Sequence, residues 1–191
     1  MKDLRVIAHH EAAHAVVAVA LGWTVEQVTI AQGAIEDGWC EAGRCDVQAP
    51  EDHVVRTWGG RGWRTAAQID AEIDRRIARQ HSVICCAGQI GEVMALGGRS
   101  SGDLQRFVGE IHRATTDLNV VYAWAGYRGD GHLSPKTDRR VDAVFMRAFR
   151  LLSSPPSRRA VAALATALME RPTIPGPEAE AIVRKARRSR S

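Results

Sequence analysis

The sequence AHHEAAHAVVAVALG, residues 8–22, sets two histidines and a glutamate into an otherwise apolar run. Residues 3–21 lack proline and glycine and are rich in Ala, Val and Leu, which predicts a helix that Gly22 ends. Burying His10, Glu11 and His14 in such a helix is costly unless they have partners. Helix positions four apart differ by about 40° of rotation and about 6 Å of rise. Both imidazoles, His10 and His14, therefore point from one face toward one ion. Glu11 sits about 100° round the helix, beside that ion and not on it, where a general base for an activated water belongs. A catalytic zinc takes three protein ligands and keeps one position open. A third His six residues after His14 is excluded, because position 20 is Ala. Glu92, Asp103, His81, His112 and Asp117 are the downstream candidates, and spacing does not choose among them.

With 191 residues, 45% apolar and 25% charged, the chain suits one globular domain and excludes wholesale disorder. Ala12–Trp23 is the longest candidate membrane span and His14 interrupts it, so the expectation is a cytoplasmic protein without a membrane segment or secretory leader. The net charge is +4, but residues 184–191 hold five positive charges and no negative one, which leaves −1 for residues 1–183. The expected organisation is a domain over 1–183 with a basic tail over 184–191, and nucleic acid enters only through that tail. The cysteines, Cys40, Cys45, Cys85 and Cys86, match no zinc-ribbon spacing and read as reduced packing thiols, with a structural metal at Cys40 and Cys45 as the alternative.

The remaining pattern is mainly helical with a small β-sheet or hairpin, an α+β class. Val25–Ala31 is β-branched and reads as a strand, and residues 33–43 as a hairpin. Asp46–Arg64 reads as a long loop in which Trp58 and Trp63 flank a Gly-rich turn pinned by its indoles, with a lid or a docking patch as the functional alternative. Helices are expected over Thr65–Leu96, with a break near Gly88, and over Asp103–Ala125. Further helices are expected over Val141–Leu152, Arg158–Glu170 and Glu178–Arg188, and Tyr127–Arg140 reads as a surface loop.

Three stretches, in order, resemble the peptidase domain of the FtsH-type ATP-dependent zinc metalloprotease family: HHEAAHAVV, CAGQIGEVMALGGRSSGDLQR and AVAALATALMERPTIPGPEAEAIV. The strand VTIAQG is similar as well. The resemblance implies an FtsH-like metallopeptidase domain binding Zn2+ through His10, His14 and Asp103, with Glu11 as the catalytic carboxylate and Glu92 beside the ligands. Ala13, Gln89 and Val93 depart from the family pattern, and the loop before Asp103 is about three residues shorter. No G-x-x-x-x-G-K-[ST] motif occurs, so no ATP site is expected in this chain. The implied activity is endoproteolysis of unfolded or flexible protein segments, unaided or with a separate unfoldase, by a monomer or a weak homo-oligomer. The alternatives are a regulatory peptidase that cuts a single partner protein and a non-catalytic metal-binding assembly module on the same fold.

Overall fold

The computed structural model describes residues 3–31, 43–49, 66–98, 116–126 and 134–189. The described elements run α1 (Leu4–Leu21), β1 (Thr24–Thr29), β2 (Arg44–Gln48), α2 (Ala66–Ala95), α3 (Thr116–Ala125), α4 (Pro135–Ser153), α5 (Pro155–Glu170), β3 (Thr173–Pro175) and α6 (Gly176–Arg188). The chain is thus mostly helical with one small antiparallel sheet, as its pattern predicts.

Helix α1 begins where Asp3 accepts a bond from the Arg5 amide, and it ends at Gly22, whose φ of 81° is the left-handed conformation that glycine adopts at least cost. Its 18 residues have a mean hydropathy of 1.2, enough by length and composition to cross a membrane. Here that apolar surface is used internally: α1 packs on α2 and α5, with Val16, Val17, Val83, Cys86, Leu164 and Leu168 buried.

Helix α2 runs unbroken through Gly88, contrary to the expected break. The cost of two helical glycines is offset by a close crossing. A side chain at Gly91 would collide with the His9 carbonyl and with Ala13, and one at Gly88 would overlap the His10 ring.

The sheet has the order β2-β1-β3, antiparallel throughout. Between Val25 and Gln27 the register slips, so Glu26 is an extra residue against β2. That bulge reverses the side-chain alternation, which is how Val25 and Val28, three apart, both become buried. Residues 46–48 of strand β2 fall within the long loop expected over Asp46–Arg64. RCDVQ is short and polar, and it is a strand because β1 offers it a partner.

Helix α4 also differs from expectation, starting six residues early. Ser134 caps it by accepting from the Thr137 amide, and Pro135 occupies the first turn, where its missing N–H costs nothing. At the far end α6 runs through Arg188, with Arg159 bonding the carbonyls of Ala186 and Ser189. Residues 184–188 of the basic segment are therefore helical. Of the cysteines, Cys85 and Cys86 are buried free thiols as expected, Cys45 is a free thiol on β2, and Cys40 lies outside the described residues. The Trp58–Trp63 loop and most of the 33–43 hairpin lie outside them too.

Candidate metal centre

His10 and His14 leave α1 from one face, their ring centroids 4.7 Å apart and inclined at 73°. They meet Asp117, in the first turn of α3. His10 Nε2 lies 3.0 Å and His14 Nε2 3.2 Å from the same carboxylate oxygen, Asp117 Oδ2. The ligand atoms of these three residues all fall within 4.8 Å of one another. Asp117 has the most exposed side chain of the three, at 28% against 13% and 8% for the histidines, so solvent reaches the group from its side.

The other ring nitrogens are occupied from α2. His10 Nδ1 donates to Glu92 Oε1 at 2.7 Å, and His14 Nδ1 donates to the Ile84 carbonyl at 2.7 Å. Carboxylates and carbonyls only accept, so both Nδ1 atoms carry hydrogen and both Nε2 atoms are left for whatever lies between them and Asp117. Glycine at 88 makes room for the first of these contacts, since the His10 ring lies flat on the α2 backbone there.

The electrostatics ask for a cation at that point. Burial alone would lower the His10 pKa, but its hydrogen bonds to Asp117 and Glu92, with the Glu11 charge nearby, raise it to about 9. Burial likewise opposes ionisation of Asp117, yet the two imidazoles hold its carboxyl well below the usual carboxylate range. In the metal-free chain a proton on His10 Nε2 reconciles nitrogen and carboxylate. A divalent ion would satisfy both imidazoles and the carboxylate at once.

The donor set fits such an ion. Ligand atoms about 2.0–2.1 Å from a tetrahedral zinc lie about 3.3 Å from each other, close to the two distances found. Two neutral imidazoles and a carboxylate are borderline donors suited to zinc, and three ligands leave a fourth position open. Each imidazole also has the outer hydrogen-bond partner that orients metal-bound histidines.

Glu11 is buried and lies outside the donor group. Its carboxylate packs against Gly43, just before β2: a Cβ built there would come within 2.6 Å of Glu11 Oε1. Cys45, two residues on, has its thiol pushed well above the ordinary range by burial and by the charges of Glu11, Asp46 and Asp117.

The structure thus joins His10 and His14 and puts Glu11 beside them. It uses Glu92 to hold His10 Nδ1, outside the donor group. His81 is elsewhere, stacked 5.8 Å from Trp23, and His9 Nδ1 bonds the Arg5 carbonyl. Asp103 and His112 lie outside the described residues. Asp117, one of the candidates that spacing left open, is the carboxylate found with the two histidines. The sequence carries a clue to it, because the Asp-Leu pair matched at 103–104 recurs at 117–118, after two threonines. Neither protein-family models nor the sequences of curated proteins give a match to this chain.

Proposed function

We propose that the protein is a zinc-dependent endopeptidase of the HExxH type, with an FtsH-like peptidase fold. The observation that carries this reading is the convergence of His10, His14 and Asp117, with both imidazoles locked through Nδ1 and a non-ligating carboxylate, Glu11, one residue from a ligand. Structural zinc prefers four protein ligands and needs no base, so an assembly module leaves Glu11 unexplained. The resemblance of residues 9–17 and 86–106 to the FtsH-type peptidase domain supports the same reading.

In this proposal His10, His14 and Asp117 hold the ion, which when bound supplies a Lewis acid that acidifies a water and polarises a peptide carbonyl. Glu11 takes the proton of the attacking water and returns it to the leaving amine. Glu92 and the Ile84 carbonyl keep both Nε2 atoms aimed at one point throughout. The substrate is held extended beside Glu11. Strand β1 does not offer it an edge, because β1 lies between β2 and β3. Among the described residues the outer edge of β2 has no strand partner, and β2 starts next to Gly43, on which Glu11 rests. A peptide adding to that edge lies alongside the general base. These 191 residues carry no P-loop, so the substrates proposed are unfolded or flexible segments.

The test is Glu11→Gln, with digestion of unfolded casein and zinc content measured together. The expected result is retained zinc and a loss of cleavage of about 10²–10⁴-fold. Undiminished cleavage would remove Glu11 from the mechanism, and the assignment with it.

A further inference from the structure

Away from the metal centre, α2 and α4 enclose a groove whose walls are cationic. One part is a cavity of about 600 Å3 lined by Arg79, Arg139, Arg147 and Arg150 over a floor of Ala143 and Met146. It continues into a second of about 350 Å3, where Arg79 and Arg139 are joined by Lys136, Arg140 and Trp124. Asp142 is the one acid among the lining residues. On α4 the cations recur at helical spacing, so they form one stripe about 21 Å long from Lys136 to Arg150.

Two of these cations are held in place by backbone: Arg139 bonds the Pro135 carbonyl and Arg140 bonds the Ala125 carbonyl at the end of α3. Arg79, Lys136, Arg147 and Arg150 are exposed and make no ion pair among the described residues. Six cations gathered on one groove against a single acid, Asp142, repel one another, a cost that an anionic occupant lowers.

We propose that this groove docks an acidic stretch of a protein, an extended segment carrying Asp or Glu side chains. The charge of the lining names the sign of the occupant, and two observations favour a peptide over nucleic acid. The floor of Ala143 and Met146 with Trp124 at one end offers apolar contact between the cations, as a chain alternating acidic and apolar side chains requires. The surrounding body is neutral, −1 over residues 1–183, whereas nucleic-acid affinity grows with the number of phosphates a protein neutralises. A stripe of about 21 Å matches about six extended residues.

Two of the helices that line the groove, α2 and α3, also supply the metal centre. Arg79 precedes Ile84 by five residues on α2, and Trp124 follows Asp117 by seven on α3, which is about 8 and 10 Å along the helix axes. If the proposed peptidase activity holds, an acidic stretch seated here tethers a substrate close to the site that cuts it. That role rests on the proposed function; the binding does not.

Binding is therefore measured without turnover. A fluorescein-labelled twelve-residue peptide of alternating Glu and Leu, its counterpart with Gln for Glu, and an oligothymidylate of twelve nucleotides are titrated with the full chain and followed by anisotropy. The acidic peptide is expected to bind at least about tenfold more tightly than either control, with an affinity that falls as salt rises. The double variants Arg147→Glu/Arg150→Glu and Arg147→Gln/Arg150→Gln should each weaken it, the reversal more, while Arg187→Gln/Arg188→Gln should not. Equal binding of the Glu and Gln peptides would overturn the proposal, as would full affinity in both groove variants. Tighter binding of the oligothymidylate would assign the groove to nucleic acid instead. None of these outcomes depends on Glu11.

Discussion

Helix α2 serves two regions that treat charge in opposite ways. Along Ile84–Glu92 it faces α1, and there the described ionisable groups are buried or half-buried and engaged: His10 between Glu92 and Asp117, His14 between Asp117 and a backbone carbonyl. One and a half turns earlier, at Arg79, it faces α4 across a groove where exposed cations crowd together and, among the described residues, Arg79, Lys136, Arg147 and Arg150 make no ion pair. In the first region the protein supplies both signs and leaves a single point where a cation completes the set. In the second it supplies six cations against one acid, Asp142, an excess that the proposed acidic partner would balance. Buried charge requires internal compensation, and exposed charge does not. A closed polar cluster therefore speaks of an ion or a proton, and an open stripe speaks of another molecule.

The steepest way to break this contrast, after the loss of cleavage expected of Glu11→Gln, is to remove the outer partner of a ligand. Glu92→Gln keeps the shape and discards the charge on His10 Nδ1. It should weaken zinc binding about 10–100-fold in competition with a chromogenic chelator. Unchanged affinity would mean that Glu92 does not orient His10. Arg79→Gln, on the groove side of the same helix, should leave zinc affinity as it is.

A steric substitution sharpens the comparison. Gly88→Ala puts a methyl group where the His10 ring lies, and backbone and ring must separate. A loss of about 1–3 kcal/mol in urea unfolding is expected, with reduced zinc occupancy. A variant as stable as the parent would show that α1 and α2 can part there freely.

Acid–base linkage gives the smallest effect. The folded chain raises His10 from its ordinary 6.5 to about 9. The group binds its proton more tightly when folded, so its contribution to stability is complete below pH 6.5 and disappears as pH rises through 9. In chelator-treated protein the thermal midpoint should fall between those values, and His10→Gln should flatten that slope.

Some of this architecture is written in local sequence and some is not. The helix carrying His10, Glu11 and His14 is legible because its caps, composition and four-residue spacing are all local. The fusion of α2 through Gly88 is not, because a glycine that breaks an isolated helix is the residue a close crossing with α1 requires. Nor is β2: Arg44–Gln48 has little strand character alone, and becomes a strand by pairing with the bulged β1. The first turns of α4 were hidden because Pro135 reads as a loop residue until Ser134 is seen to cap it. The carboxylate beside the histidines is the hardest case. Two Asp-Leu pairs stand fourteen residues apart, and among the described residues it is the packing of α3 against α2 that brings Asp117 to the histidines.

Metal analysis of purified protein by plasma mass spectrometry, comparing the parent chain with Asp117→Ala and Asp103→Ala, tests the central claim most directly. The account predicts one zinc per parent chain, a near-empty site in Asp117→Ala and a filled one in Asp103→Ala. A parent chain without stoichiometric metal, or Asp117→Ala with full occupancy, would contradict it.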